Sequence, residues 1–360
     1  MKIFLAFALS MVVLLGLVSC RNNTPPKDDA IEPTYIFKSS TQEGDEYYAD
    51  HKDDLLPIYE SKSALEKVQG DLASYDWERT DKWHVEEYNK FAEIDKPVSV
   101  CSDHEYFYIL DTGLKQILKY TFDGELIGRV GKIGNGPTEF LDPKIIKYFE
   151  NKLYVLDAGN FRVQLFNLDL SFDGEMIFDD LKKLPYADFR DIQPSEDGIY
   201  VSFVSHNIGE IRKYIGNKSQ TVLTNFCGTL AYDAESKQVI GINEMTAYLD
   251  KKENSIGYMS GLSRIISLSP EPHFLDKEKD EINLSSFVID HGKVVGYSGT
   301  CRSLFVTELK DKKIVGWNDT FSFGDNDDYL LQEGVITTIE PGKKYLFLLV
   351  PEKQFYLLMV

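Results

Sequence analysis

From about residue 97 the chain alternates short apolar runs with turn-forming residues. Residues 98–101 predict a first strand, turned by Ser102-Asp103-His104, and residues 106–110 a second, ended by Asp111-Thr112-Gly113. Residues 116–122 predict a third. Asp123-Gly124 then gives a hairpin signal, and residues 125–130 a fourth strand. The apolar runs are short and rich in Tyr, Phe, Ile and Val, which suits a pleated surface better than a helix.

The pattern repeats. Phe107-Tyr108-Ile109-Leu110-Asp111 returns 46 residues later as Leu153-Tyr154-Val155-Leu156-Asp157, and the pairs Pro97/Pro143 and Tyr120/Phe166 keep that offset. A third copy, Gly198-Ile199-Tyr200-Val201, sets Tyr200 46 residues after Tyr154. Later copies are weaker: a fourth over 226–267 around Val239-Ile240-Gly241, a fifth over 282–323 with His291-Gly292 turning before Val294-Val295, and a last over 334–360 with Glu340-Pro341-Gly342 as its first turn. A period in the forties, filled with four short strands, predicts one propeller blade per repeat. The 264 residues from Pro97 to Val360 hold about 5.7 periods, and the final repeat shows three strands. The expected fold is therefore all-β: a six-bladed β-propeller of four-stranded antiparallel blades, its ring closed by an N-terminal strand from 83–94 or 35–38, which removes an open sheet edge.

The segments before the repeats read differently. Met1-Lys2 is a basic start, residues 3–18 carry no charge, and Leu17-Val18-Ser19-Cys20 closes the run. This is the order of a secretory signal, and the apolar stretch is shorter than the roughly 20 residues a membrane span needs. Leu-Val-Ser-Cys resembles the lipobox of bacterial lipoproteins. That resemblance implies cleavage before Cys20, lipid on its sulfur and an acylated amino group. Residues 1–19 are thus expected to be a lipoprotein signal peptide and 20–34, with Pro25, Pro26 and Pro33, a tether. Residues 35–96 form an N-terminal extension with a short helix near 61–68, capped by Ser61 or Ser63, and the closing strand; 97–360 are the propeller.

Charge narrows the partners. The chain carries −19, and loss of the leader with its one Lys takes it to −20. An acidic body argues against nucleic acid and against anionic membrane surfaces as ligands. With Cys20 acylated, Cys101, Cys227 and Cys301 remain, far apart and without CxxC spacing. This predicts buried thiols rather than a zinc site or a disulfide framework.

Three segments carry a family likeness: Tyr108-Ile-Leu-Asp-Thr-Gly113 with its following Gln116-Ile-Leu-Lys-Tyr120 strand, Gly131-Lys-Ile-Gly-Asn-Gly-Pro-Thr-Glu-Phe140, and Tyr154-Val-Leu-Asp-Ala-Gly-Asn-Phe-Arg-Val163. They resemble the NHL class of propeller repeat. With the lipobox, the chain is similar to the six-bladed, TolB-like propeller lipoproteins of Gram-negative gut bacteria. The resemblance implies a fold and an envelope location, with little mechanism.

Candidate chemistry is sparse. Gly131, Gly134 and Gly136 lie between two blades, with no helix to meet a phosphate, and read as turn glycines. Asp111 and Asp157 end the second strand of successive blades. A short Asp there closes a turn by accepting backbone N–H groups, and the third copy has Phe203 instead. Asn160 and Arg162 brace the same turn. His104 and His291 follow first strands, whereas His206 follows a second strand, on the face where propellers usually bind ligands; no HxH or HExxH spacing occurs. The expected ligand-binding residues on that loop face are Asp111, Asp157, Asn160, Arg162, His206, Asn207 and Arg302, with no cofactor and no metal.

The expected function is a non-catalytic binding or scaffold propeller for a protein, peptide or glycan in the cell envelope. It would be held by Cys20 on the outer membrane, facing the periplasm. The alternatives are a propeller enzyme, a lyase or lactonase-type hydrolase with a channel metal, and a sensor-like module coupled to a membrane complex.

Overall fold

The computed structural model describes residues 58–59, 86–87 and 93–359 apart from short stretches, the longest being 275–283 and 319–332. Six antiparallel sheets follow one another along the chain as six blades. Blade 1 is Pro97–Ser102, Phe107–Asp111, Gln116–Tyr120 and Leu126–Val130; blade 2 is Pro143–Phe149, Lys152–Asp157, Arg162–Asn167 and Phe172–Ile177. Blade 3 is Asp188–Ser195, Gly198–Ser205, Ile208–Ile215 and Lys218–Thr224. Blade 4 runs from Gly228–Asp233 through a long hairpin, Gln238–Asp250 with Ser255–Ser267, to His273–Phe274. Blade 5 starts at Ser286–Asp290 and ends at Lys313–Asn318, and blade 6 holds Glu333–Glu340, Lys344–Val350 and Tyr356–Met359. In each sheet the first strand is innermost. First strands of neighbouring blades touch all the way round, and that of blade 6 touches that of blade 1.

Closure is as expected in kind and smaller in extent. Glu86–Glu87, inside the predicted 83–94 window, pairs antiparallel with Tyr356–Met359 as the outermost strand of blade 6, in register Glu86 with Met359 and Glu87 with Leu358. One element was not foreseen: Ile58–Tyr59 adds a parallel strand to the long hairpin of blade 4. The leader, Cys20, the tether, the proposed helix near 61–68 and Cys301 lie outside the described residues.

The second strands read as unbroken apolar runs because both faces of a blade are covered. In blade 1, Tyr108 and Leu110 point toward blade 2 and pack with Ile146, Leu153, Val155 and Phe166; Phe107 and Ile109 point the other way, toward Val335 of blade 6. In blade 2, Val155 faces back to blade 1 and Leu156 faces blade 3, where Val201 and Phe203 lie. The core is therefore a set of seams between blades. Each fully buried Phe, Leu or Ile in a seam contributes about 1.5–3 kcal/mol of transfer free energy. Cys101 and Cys227 are buried thiols, and burial pushes the Cys101 thiol well up.

An inner strand leaves its axial edge without a ladder partner, and buried N–H groups there need acceptors. Side chains of the preceding blade supply them. Ser99 Oγ accepts the Ile146 N–H at 3.1 Å, Asp191 Oδ2 the Leu230 N–H at 2.8 Å, and Ser286 Oγ the Ile336 N–H at 3.2 Å. Ser99 and Asp191 each follow a β-bulge, and the bulged residues Val98, Lys144 and Arg190 are spaced by the same 46. Blade 2 has the apolar Ile145 where its neighbours have Ser99 and Asp191. There Lys147 makes the link instead, donating to Asp191 Oδ2 at 3.1 Å and to the Leu230 carbonyl at 3.1 Å.

Burial pushes the Asp191 carboxyl up, against the lowering pull of Lys147 and of the Leu230 and Ile192 N–H groups. The folded state thus holds this proton to a higher pH than the unfolded chain. The stabilisation belonging to that proton is complete below the unfolded value near 4 and is lost as pH rises through the folded value. Two outcomes follow. Lys147→Met leaves a buried carboxylate unpaired and lowers unfolding free energy by about 3 kcal/mol at pH 7, measured by urea denaturation. Asp191→Asn, compared with wild type over pH 4–7, gains relative stability as pH rises; a constant difference would show that Asp191 does not titrate as described.

Candidate functional site

Among the described residues, the turns between second and third strands of blades 1 and 2 and the crossovers into blades 2, 3 and 4 lie on one face of the ring. Two of the predicted site residues build that face in the same way. Asp111 Oδ2 accepts the Asp95 N–H at 2.7 Å and Oδ1 accepts the Leu114 N–H at 2.9 Å, while both oxygens take the Lys96 N–H at 3.1 Å. One period on, Asp157 Oδ1 accepts the N–H groups of Leu141 and Asp142, both at 3.0 Å. Each carboxylate ties the start of its blade to a strand end 16 residues later. Blade 4 does the same with an amide: Asn243 Oδ1 accepts the Cys227 N–H, again 16 residues upstream, at 2.8 Å. Blade 3 has Phe203 there, buried in the seam with blade 2, so packing replaces the polar brace.

Blade 2 extends this brace into the crossover that leads to it. Asp157 Oδ2 receives Asn160 Nδ2 at 2.6 Å and Arg162 Nε at 3.3 Å. Arg162 is buried, and its other donors go to the Asn135 carbonyl and Glu175 Oε2, each 2.8 Å from Nη1, and to the carbonyls of Gly136 and Glu139, 3.0 and 2.8 Å from Nη2. All five N–H directions of the guanidinium are thereby used. Asn160 Nδ2 also holds the Gly134 carbonyl at 3.0 Å. Gln164 grips the loop twice, donating to the Glu139 carbonyl at 2.7 Å and accepting the Thr138 N–H at 2.9 Å.

The crossover itself is a small parallel ribbon, Lys132–Ile133 with Glu139–Phe140, and Phe140 anchors it in the seam between blades 1 and 2. Gly131 has φ +126°, and a Cβ there would meet the Lys115 carbonyl at 2.3 Å, so no other residue fits. Glu139 Oε2 accepts the Gly136 N–H at 2.8 Å; that bond first, then Lys132, holds its carboxyl below the usual range. The glycine-rich stretch is thus a loop folded on its own side chains.

Asp157, Asn160 and Arg162 lie together, with Asp111 in the adjacent blade, and their polar atoms are engaged in holding backbone and one another. His206, Asn207 and Arg302 lie outside the described residues. Among the described residues, no three His, Cys, Asp or Glu side chains gather into a group able to hold a metal ion. Exposed apolar side chains also stand on this side, beside charged ones such as Lys132, whose side chain is 71% exposed. Ile133 is 70% exposed and Tyr186 93%, and Leu114, Leu141 and Ile177 are exposed on the same face. The residues missed in sequence, Lys147, Asp191 and Asn243, carried a readable signal: Asp191 sits two 46-residue steps from Ser99, and Asn243 stands 16 after Cys227.

Replacing Arg162 with Lys keeps the charge and loses the planar fork, since an ammonium has three donors for five acceptors. Arg162→Lys should lower stability by about 3 kcal/mol. It should also speed amide exchange over residues 134–139, read by hydrogen-exchange mass spectrometry; unchanged protection there would mean the loop does not depend on the fork.

Comparisons agree with this architecture. Residues 87–265 match a family described as 6-bladed beta-propeller. No curated protein sequence matches the chain. Among solved structures, the chain resembles the PQQ-bound aldose sugar dehydrogenase of Streptomyces coelicolor at 9% identity and TM-score 0.51, over 78% of this chain and 99% of that one. It also aligns with virginiamycin B lyase of Staphylococcus aureus at 9% identity and TM-score 0.46, over 77% and 99%, and with a nidogen/laminin complex at 13% and 0.46, over 62% and 79%. Identities this low speak to fold alone. With a 6-bladed beta-propeller domain over residues 87–265 and four-stranded antiparallel blades set in a ring, this chain is an all-β propeller.

Proposed function

We propose that this protein is an envelope lipoprotein, anchored through Cys20, whose propeller is a non-catalytic binding or scaffold module. The observation that carries the reading is the crossover between blades 1 and 2. Its backbone is locked from beneath by Arg162, Asn160 and Gln164, while Ile133 and Leu141 stand exposed on top. A loop ordered in advance loses little conformational freedom on binding, so exposed apolar side chains on it convert efficiently into affinity. Patches of this kind mark interaction surfaces. The aliphatic side chains Ile133, Leu141 and Ile177 outnumber the exposed ring of Tyr186 on this face, which favours a peptide or protein surface over a glycan that stacks on aromatic rings. The lipobox supports a lipid anchor, the lack of acids directly after Cys20 favours the periplasmic face of the outer membrane over the cell surface, and the NHL-like and TolB-like motifs over residues 108–163 support membership in that wider group of propeller lipoproteins.

The test compares wild type with Ile133→Asp/Leu141→Asp, both immobilised and exposed to detergent-solubilised envelope protein. Neither side chain is core, so the thermal midpoint should be unchanged, and retention of the bound partner should fall about tenfold or more. Equal retention by both would remove this face from consideration as the binding surface.

A further inference from the structure

Blade 4 differs from the other blades in its hairpin. Its second and third strands, Gln238–Asp250 and Ser255–Ser267, each run 13 residues, whereas the second strands of the other blades run from 5 to 8. The first strand of blade 4 accompanies the hairpin only as far as Asn243, whose partner is Gly228. A bulge follows Asn243, and beyond it the hairpin continues in register from Met245 with Ser260 to Asp250 with Ser255. Gly228 is where the crossover from blade 3 enters, so this continuation is an arm that rises from the crossover face. Residues 244–250 carry it about 20 Å beyond the blade at the usual rise per residue.

The register also places Ile58–Tyr59. Residues 240–243 pair with the first strand of the blade on one edge and with the third strand on the other. The third strand keeps its edge along the arm. Ile58 and Tyr59, paired parallel with Ala247 and Tyr248, therefore take the edge that the first strand occupies lower down. First strands are innermost, so this edge faces the axis of the ring. An open strand edge presents backbone N–H and C=O groups that template another extended chain. Here the template is already in use by the protein's own N-terminal segment. The resident strand is short, and parallel pairing is slightly less stable per residue than antiparallel pairing. Among the described residues, Met245, Thr246, Leu249 and Asp250 have no strand partner on that edge.

We infer that the axial edge of the arm is a binding site for an extended polypeptide segment of a partner protein, which adds as a parallel strand along residues 245–250 and displaces Ile58–Tyr59. The resident strand shows what the edge accepts: a main chain in extended conformation, running in the direction of the arm. A polysaccharide offers no such ladder of alternating donors and acceptors. An incoming strand that spans residues 245–250 makes more ladder bonds than the two residues it replaces, and the main-chain bonds supply the affinity. Displacing the resident strand reduces the apparent affinity by the fraction of time the edge is open. The site lies on blade 4 and works through backbone, so it stands apart from the apolar crossover between blades 1 and 2 and is tested through different residues.

The probe is a fluorescently labelled peptide of residues 54–62. Its control carries proline at positions 58 and 59, which cannot donate to a ladder. Binding is read by anisotropy with the full chain in non-ionic detergent, as wild type and as Ile58→Pro/Tyr59→Pro. The doubly substituted protein should bind the probe saturably and about tenfold or more tighter than wild type, because the resident strand no longer competes. The control peptide should bind neither protein. A second readout needs no substitution: in wild type, excess probe should speed amide hydrogen exchange at Ile58 and Tyr59 while Ala247 and Tyr248 stay protected, a pattern that loss of folding cannot imitate. Equal affinity of the two proteins, binding of the control peptide, or unchanged exchange at Ile58 and Tyr59 would overturn the inference. So would a wild-type dimer that binds no probe, which would assign the edge to a second copy of the chain.

Discussion

A carboxylate cut off from water must find donors, and Asp111 and Asp157 find theirs in the backbone at the start of their own blades. In blades 1 and 2 that constraint ties where the blade begins to where its second strand ends. The bulge does not depend on it, since blade 3 keeps one at Arg190 with Phe203 in place of the carboxylate. In blade 2 the same carboxylate recruits Asn160 and Arg162, so that one buried charge organises a whole crossover. The polar groups most conspicuous in the sequence are consequently part of the frame, and the surface they hold up includes exposed apolar side chains. A buried ion pair of this sort does not by itself argue for great stability, because desolvation opposes the Coulombic gain. What it provides is a single defined geometry for the residues around it.

The blades were legible in the sequence for a physical reason. A second strand buried on both faces must be apolar throughout, and Phe107 to Leu110 and Leu153 to Leu156 obey that rule at a fixed interval. The turn role of Asp111 and Asp157 could also be read, because few residues close a strand end with their own side chain. Other features left little trace. Glu86–Glu87 closes the ring with two residues that are poor strand formers, and no local pattern marks them. Ile58–Tyr59 joins blade 4 through contacts almost 190 residues away, a pairing decided entirely by tertiary structure. The reach of Arg162 into the crossover could not be inferred from spacing, since its acceptors are backbone carbonyls that any residue would provide.

The axis of the ring and its outer crossovers differ in chemistry because they sit at different radii. Near the axis, strands from all blades converge, their axial N–H groups need acceptors, and charged or hydroxyl side chains cluster as Ser99, Lys147, Asp191 and Ser286 do. Farther out, crossovers have room to fold on themselves, and apolar side chains that find no seam are left facing solvent. Position in the ring thus sorts the side chains before any ligand is considered.

The pairing of Glu86–Glu87 with Tyr356–Met359 sets a timetable for biogenesis. Synthesis runs from the N-terminus, so the short strand at residues 86–87 leaves the ribosome some 270 residues ahead of its partner. At 5–20 residues per second the wait is on the order of 15–50 s. Throughout that interval the early blades exist as an unlatched arc, and the arrival of residues 356–359 decides when the circle is complete.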